Sequence, residues 1–470
     1  MESAELRGAL LTAMVLPPPV TTAVPWLEIF DVDAGSEASA LLGRLQSGRS
    51  AVSALMAPYG ASSSLDLPGM IRALGLYLPE VTTLLETLDR QDSVVTKKHL
   101  QFEWSGSFAA PGTAVLKCPF IIFEVCMCLQ SLGFANYSHG SRVLLQRLPT
   151  SLDPTVELKE ASNAFLAAAS YWQCLGRSAL PRWVTRKSLK RITPDLDEHA
   201  ALALAHMAQA AAQQCAVGMA LVTGNSKPSL LSKLTAAVVS EASDCLVCLG
   251  KVDTKCEKIN PEVGAQAAYL RELYSSVSLL HHARGLAEGR KVGEAISALE
   301  QSIGKLKIQS GTGLHNPSEP GLPRYLLRGP IEFAIGQLLT VVTELRDKYT
   351  RENDLIYFQV IAPTALPAGI TVSSPTEFKI PSSSAGKTIS FHKAPLDSVF
   401  SSLSLSAPAP APAAAPAAAP AAPAAAPAAA PAAPAPAVAP AAAWACSACT
   451  FLNPPDRAVC EMCGLQRAAI

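Results

Sequence analysis

Apolar side chains recur at helical spacing through most of the first 380 residues. The clearest cases are residues 291–309 and 330–348, where apolar positions follow i, i+3 and i+4 spacing and so share one face of a helix. Helix starts are indicated at residues 195–198 and 260–262, because Asp or Asn there can accept a hydrogen bond from the free amides of a first turn.

The order of these elements predicts a mainly α protein with a small N-terminal β element. Strand-like sequence is limited to residues 97–104 and 118–124. Successive amphipathic helices with short polar breaks are typical of helix pairs stacked as a solenoid. Residues 283–296 have the small-residue texture of tetratricopeptide packing, but no repeat of fixed period is present.

Composition changes sharply near the C-terminus. Residues 381–406 are rich in serine, and residues 407–443 contain only alanine and proline apart from Val438. Alanine buries too little surface to offset chain entropy, and the prolines prevent a continuous helix. We therefore expect a passive polyproline-like spacer of at most ~115 Å, at ~3.1 Å per residue. The predicted organisation is a flexible N-terminus (1–19), a helical block (20–380), a linker (381–443) and a cysteine-rich module (444–467).

Charge and cysteine usage narrow the class of protein. The 470 residues carry 38 basic and 38 acidic side chains, which argues against a protein held on nucleic acid or membrane mainly by net charge. Most cysteines are scattered through helix-like sequence, as buried thiols of a reducing compartment are, so we expect a cytoplasmic protein. Cys245, Cys248 and Cys256 could suggest a metal site, but thiols at this spacing on an apolar helix are more typical of core. We find no convincing signal peptide, membrane span or catalytic motif and expect no enzymatic activity.

The last cysteines have the spacing of a structural zinc site. Two Cys-x-x-Cys pairs separated by ten residues supply four thiolates for one tetrahedral Zn²⁺. A unit of this size has too little core to fold alone, so metal binding would provide its folding energy. The predicted ligands are Cys446, Cys449, Cys460 and Cys463.

This module resembles the Ran-binding-protein-type zinc fingers, through Trp444, the four cysteines, Thr450, Asn453 and Arg467. The resemblance implies two small β-hairpins around the zinc. It also implies ubiquitin binding, because the ubiquitin-binding members carry Thr-Phe after the second cysteine and an apolar residue before the fourth. The corresponding residues are Thr450, Phe451 and Met462. RNA-binding members instead need an aromatic residue and arginines, where this chain has Pro-Pro-Asp-Arg at 454–457, so we expect no nucleic-acid partner. A purely structural finger is the remaining alternative.

The helical block resembles, more distantly, the Bro-type domain of ALIX-like endosomal proteins. Four segments carry the resemblance in the same order as in that family. They are residues 100–104 with Leu132-Gly133, residues 164–172, the Gln-rich residues 207–214, and Arg-Glu-Asn-Asp-Leu-Ile-Tyr-Phe at 351–358 followed by Ala362-Pro363.

The Bro-type resemblance implies a curved helical solenoid that binds the C-terminal amphipathic helix of an ESCRT-III subunit in an apolar groove. Transferred to this sequence, the groove falls at Ala216, Met219, Leu230, Leu231 and Leu234. Relatives usually carry an aromatic residue where this chain has Ala216, so binding could be weaker or displaced. Ordinary helix core is an equally good interpretation of the three leucines.

Together these features predict an adaptor that is recruited to endosomes and links ubiquitinated cargo to ESCRT-III. The alternatives are a ubiquitin-binding scaffold with a different partner and, less favoured, an RNA-binding finger protein. The basic residues from Arg182 to Arg191, with Trp183, are compatible with a peripheral contact with acidic lipid headgroups, although a solvated loop between helices is the favoured interpretation.

Overall fold

The computed structural model describes residues 11, 16, 19–56, 65–91, 98–108, 115–182, 193–224, 226–253, 256, 259–309, 328–371, 374–380, 389, 391, 444–445 and 452–453. The chain divides into two compact units, Met1–His392 and Lys393–Ile470.

Long helices dominate the described part of the first unit, as the hydrophobic pattern predicts. Each long helix packs extensively against the next one along the chain, so the described helices form an array in sequence order. Their bounds are α1 Glu37–Leu55, α2 Leu67–Asp89, α3 Ile121–Arg142, α4 Pro154–Cys174, α5 Glu198–Thr223, α6 Pro228–Leu249, α7 Pro261–Glu288, α8 Val292–Gln309 and α9 Arg328–Glu352. Shorter helical turns lie at Trp26–Ile29, Val143–Arg147, Leu148–Thr150, Leu175–Ala179, Leu180–Arg182, Pro194–Leu196 and Asn353–Tyr357.

The two helix starts indicated by the sequence are confirmed. The Asp197 carboxylate accepts hydrogen bonds from the amides of His199 and Ala200 at the start of α5. The Asn260 side chain accepts one from the amide of Glu262 at the start of α7, and Pro261 occupies the first position. These side chains satisfy amides that have no partner within the helix, which fixes where each helix begins.

Small residues allow close approach between neighbouring helices. A Cβ atom on Gly133 of α3 would clash with Nε1 of Trp172, so glycine is required where this fully buried indole of α4 packs. Between α6 and α7, the hydroxyls of Ser232 and Ser278 each donate to the other residue's carbonyl oxygen at 2.8 Å. Gly133 and Trp172 both belong to the segments that resemble the Bro-type family. Their contact shows that two of these segments pack directly against each other.

The predicted β element is present but shorter than expected. Strand β1 (Phe102–Trp104) pairs antiparallel with β2 (Leu116–Cys118), with Phe102 opposite Cys118. Thr21 forms an isolated antiparallel bridge with Trp104. The expectation of strand over residues 118–124 is wrong beyond Cys118, because α3 begins at Ile121.

A buried ion pair lies where the β element meets the helices. Nη1 of Arg49 lies 3.0 Å from Oε1 of Glu124, and both side chains are fully buried. Nε1 of Trp104 donates to Oε2 of Glu124 at 2.7 Å, and the Arg49 guanidinium lies 4.6 Å from the Trp104 ring centroid. Nη2 of Arg49 also donates to Oγ1 of Thr21. The cluster joins α1, α3, β1 and the N-terminal segment.

His281 on α7 makes the free energy of unfolding depend on pH. Burial lowers the pKa of His281 from 6.5 to about 3, with a further contribution from the nearby Arg284 charge. Between pH 6.5 and about pH 3, His281 is therefore protonated in the unfolded chain and neutral in the folded chain. Over this range the free energy of unfolding falls by about 1.4 kcal/mol for each unit that the pH falls. Above pH 6.5 the residue is neutral in both states and has no such effect.

We expect His281→Gln to flatten the stability profile between pH 7 and pH 5, by about 2 kcal/mol over that interval. Urea unfolding at the two pH values measures the change, and taking the difference from the native chain cancels the other titrating groups. The half-buried neighbour His282 provides the matched control, since His282→Gln should flatten the profile much less. Parallel profiles for the native chain and His281→Gln would contradict this account.

Candidate partner-binding surfaces

The α5–α6 turn brings the five predicted groove residues to the same end of one helix pair. Helix α5 ends at Thr223, followed by Gly224, whose φ of 69° lies in the left-handed region that glycine adopts without strain. Helix α6 begins four residues later at Pro228. Ala216 and Met219 thus lie near the end of α5, while Leu230, Leu231 and Leu234 lie near the start of α6.

These five side chains differ widely in exposure. Leu234 is 0% exposed, and Ala216 and Leu231 are also buried. Met219 and Leu230 are half-buried, so they are the predicted groove residues that present apolar surface to a partner. Leu234 packs in the helical core and presents no surface to a partner. Partner contact at this site stays a prediction.

An extended segment, which we call the C-terminal strap (residues 359–371 and 374–380), runs back across the helices in reverse order. The side-chain amide of Gln301 on α8 donates to the carbonyl oxygen of Thr364 at 3.0 Å. Further on, the amide of Ile370 donates to the carbonyl oxygen of Lys233 on α6 at 3.1 Å. The ring of Phe378 lies 4.5 Å from that of Tyr171 on α4.

The strap limits where a partner can reach α6. A Cβ atom on Gly369 would lie 2.7 Å from the backbone nitrogen of Ala237, so the strap backbone lies directly against the helix there. The side of α6 that carries Lys233 and Ala237 is therefore occupied by the chain itself. Leu230 lies nearer the start of the helix, and its side chain keeps partial exposure next to the α5–α6 turn.

A second apolar surface was missed by sequence reasoning, which used residues 351–358 only as a family resemblance. Asn353 is buried, and its side chain both donates to the carbonyl oxygen and accepts from the amide of Gln359, each at 2.9 Å. Phe358 is held at a φ of 52°, a left-handed conformation that is unfavourable for a bulky residue, and it is 75% exposed. The other large exposed side chains of this loop are Leu355, Ile356, Val360 and Ile361.

A polar cluster on α5 and α6 also escaped sequence reasoning. Nδ1 of His206 lies 2.8 Å from Oε2 of Glu241, and Asp244 brings a third possible ligand atom, with all three within 4.8 Å of one another. Thirty-five residues separate His206 from Glu241, so only the pairing of the helices reveals the group. No other observation in the described part of the chain indicates a metal here. The contact between His206 and Glu241 links α5 to α6.

The cysteines Cys245, Cys248 and Cys256 do not form a common site. Cys245 is fully buried, and burial raises the pKa of its thiol, as expected for a core cysteine. Cys256 donates to a carboxylate oxygen of Asp197 rather than joining Cys245 and Cys248. The eight cysteines of the described part of the chain are free thiols. The basic residues 183–191 lie outside the described residues.

The predicted zinc ligands and ubiquitin contacts lie outside the described residues. These are Cys446, Cys449, Thr450, Phe451, Cys460, Met462 and Cys463. Two short strands on either side of the first Cys-x-x-Cys pair are described: β3 (Trp444–Ala445) and β4 (Leu452–Asn453). They pair antiparallel, with Trp444 opposite Asn453. This pairing is of the kind that a finger built from β-hairpins needs.

Comparison with known proteins identifies the helical unit. The family model described as BRO1-like domain matches residues 81–404. This range covers more than half of the sequence and contains most of the helices, the strap and the exposed loop. The chain therefore belongs to the BRO1-like domain family.

Individual relatives agree with this assignment. The pH-response regulator protein RIM20 of Yarrowia lipolytica (strain CLIB 122 / E 150) is 27% identical over 273 residues, which are 58% of this chain and 32% of the relative. The chain thus spans about a third of the length of that relative. The structure described as the ALIX BRO1 CHMP4C complex has a TM-score of 0.60 at 15% identity, covering 80% of this chain and 99% of that chain.

A structure described as the basis for endosomal targeting by the Bro1 domain has a TM-score of 0.54 at 17% identity, covering 79% of this chain and 93% of that chain. At these identities the solved structures establish the shared helical fold. In the part of the chain that the structure describes, no helix combines the length and apolarity needed to cross a bilayer.

Proposed function

We propose that this protein is a non-enzymatic adaptor of ESCRT-linked sorting at endosomes. Membership of the BRO1-like family is the observation that carries the proposal. The fold it shares with the ALIX Bro1 domain, a structure described as a complex with the ESCRT-III subunit CHMP4C, indicates the class of partner. The protein would act in the cytoplasm and be recruited to endosomal membrane by its partners.

The α5–α6 turn supports a helix-in-groove partner. Met219 and Leu230 offer half-buried apolar side chains near the turn, whereas Leu231 and Leu234 are buried. An amphipathic helix binds such a surface through apolar residues spaced three or four apart. Ala216 contributes little area, because its methyl group is small and buried. We therefore expect a weaker complex than an aromatic residue would give.

The C-terminal module would supply the second binding site. Four thiolates would hold one zinc ion, and the pairing of β3 with β4 supports a hairpin around the first two of them. Phe451 and Met462 would form a small apolar patch for ubiquitin, and Thr450 would add a hydrogen bond. The Ala/Pro-rich linker would let both sites act together, by raising the effective concentration of one partner near the other.

The partner-helix site is tested by Leu230→Asp. Placing a carboxylate on the exposed apolar surface should weaken binding of a labelled CHMP4C C-terminal peptide at least tenfold, because the charge would have to lose its water. Fluorescence anisotropy with the full chain measures the affinity. Val247→Asp is the matched control, since Val247 is also an apolar residue of α6 and is 53% exposed near the other end of the helix.

Equal weakening by Leu230→Asp and Val247→Asp, or unchanged binding in both, would contradict a groove at the α5–α6 turn. Circular dichroism should stay the same in both variants. Leu234→Asp is unsuitable for this test, because a carboxylate at that fully buried position would unfold the helix pair.

A second candidate function is a ubiquitin-binding scaffold with a partner outside ESCRT-III. The exposed loop around Phe358 favours it, because a bulky residue held in a strained conformation with its ring in solvent is typical of a preformed contact surface. An endosomal partner lost with Phe358→Asp but kept with Leu230→Asp would support this alternative.

A further inference from the structure

A cavity of about 410 Å³ lies between the end of α3, the start of α4 and the end of α5. The residues of the described part of the chain that line it include no charged side chain. It has the size and apolar character of a ligand site, yet none of the candidate groove residues lines it. The apolar residues that define it include Leu144, Leu145, Leu148, Pro149, Leu158 and Val222.

One side chain from the N-terminus of the chain is already seated in this cavity. Leu11 is only 7% exposed and is part of the lining. Gly218 on α5 makes room for it: a Cβ atom there would lie 3.3 Å from Leu11 and 3.1 Å from Leu158. Leu16 is also buried. Leu11 therefore packs against the helices, a contact that no pattern in the sequence indicates.

The rest of the N-terminal segment matches the cavity in chemistry. Residues 9–16 read Ala-Leu-Leu-Thr-Ala-Met-Val-Leu, with Thr12 as their only polar side chain. Space remains in the cavity beside Leu11, and Leu145 on its lining is 48% exposed. Filling the space with neighbouring apolar residues would remove that surface from water.

The segment is also tethered close to the cavity. The amide of Ser105 donates to the carbonyl oxygen of Val20 at 2.8 Å, and the amide of Val20 donates to Oγ of Ser105 at 2.7 Å. Val20, nine positions after Leu11, is thus fixed to Ser105, the residue that follows β1. A tether of this length gives an effective concentration on the order of millimolar, which favours the chain's own segment over a free ligand.

We propose that this cavity is an intramolecular docking site for the chain's own apolar N-terminal segment, residues 9–16. Val222 lies three residues after Met219 on α5, so the docked segment borders the surface proposed for the partner helix. If the proposed function holds, a partner helix that extends over Val222 competes with this segment. The docking itself does not depend on that function.

Binding of a separate N-terminal peptide to the cavity tests the proposed docking. A fluorescent peptide of residues 1–16 should bind the full-length Leu11→Asp chain at least ten times more tightly than the native chain, because the charged residue no longer holds the site. The same peptide carrying Leu11→Asp is the matched control and should bind neither chain. Adding Val222→Asp to the Leu11→Asp chain should remove peptide binding. None of these measurements uses an ESCRT-III peptide, so they stand apart from the proposed function.

Circular dichroism verifies that each variant is folded. If Leu11→Asp fails to fold, a chain starting at Pro19, which keeps the Val20 contacts, replaces it in the same assay. Peptide binding of equal strength to the native and the opened chain, or no binding to a folded opened chain, would overturn the proposal.

Discussion

Replacing Cys460 with serine is expected to lower the zinc content of the full chain from one ion to none and to abolish ubiquitin binding. A serine hydroxyl is a poor substitute for a thiolate ligand. A module of this size is too small to build a core that could compensate, so the binding free energy of the metal, about 10–16 kcal/mol in small zinc fingers, would also be its folding free energy. Inductively coupled plasma mass spectrometry measures zinc per chain, and anisotropy with labelled ubiquitin measures binding.

Phe451→Ala tests ubiquitin binding independently of zinc binding. This variant should keep one zinc ion per chain while losing at least tenfold in ubiquitin affinity, because it removes apolar contact area without touching a ligand. Ubiquitin binding that survives zinc removal would contradict the account of the module. Two zinc ions per chain would reveal a further site, and comparable zinc-dependent affinity for single-stranded RNA would favour the RNA-binding alternative.

Arg49→Met should lower the free energy of unfolding by about 3–5 kcal/mol. Glu124 is fully buried, and burial raises the pKa of its carboxyl, while the Arg49 charge opposes that rise. Removing the guanidinium leaves an uncompensated carboxylate in the core and also removes the contact with the Trp104 ring. Urea unfolding at pH 7, followed by circular dichroism, measures the change.

The double variant Arg49→Met with Glu124→Gln is the control for this effect. It removes the charge together with its partner, and the glutamine oxygen can still accept the hydrogen bond from Trp104. A substantial part of the lost stability should therefore return. A loss below about 1 kcal/mol in Arg49→Met would show that the ion pair contributes no more than an exposed pair does.

Local signals predicted the helices well. The periodicity of residues 291–309 corresponds to α8 (Val292–Gln309), and that of residues 330–348 lies inside α9 (Arg328–Glu352). Both rest on repeating apolar positions within one element, which a sequence displays directly. The strand expected over residues 118–124 was wrong beyond Cys118. A short apolar run fits a buried helix as well as a strand, and α3 is buried along most of its length.

Contacts between distant residues could not be predicted. The strap lies on α6 because Ile370 bonds to Lys233, and Leu11 fills part of a cavity that Gly218 leaves open. Residues so far apart in the sequence do not form a local pattern that would indicate their contact. The family resemblance gave the positions of the groove but not their exposure, which depends on how α5 and α6 pack. Met219 and Leu230 are half-buried, whereas Leu234 is in the core.

The central claim is that one chain binds ubiquitin and an ESCRT-III helix at the same time through separate sites. A bridging assay tests it most directly: immobilised ubiquitin is incubated with the full chain and a fluorescent CHMP4C C-terminal peptide. The account predicts that the native chain retains the peptide on the beads. With Phe451→Ala, both the chain and the peptide should be lost. With Leu230→Asp, the chain should remain and the peptide should be lost. Absence of peptide from beads that hold the native chain would contradict the account.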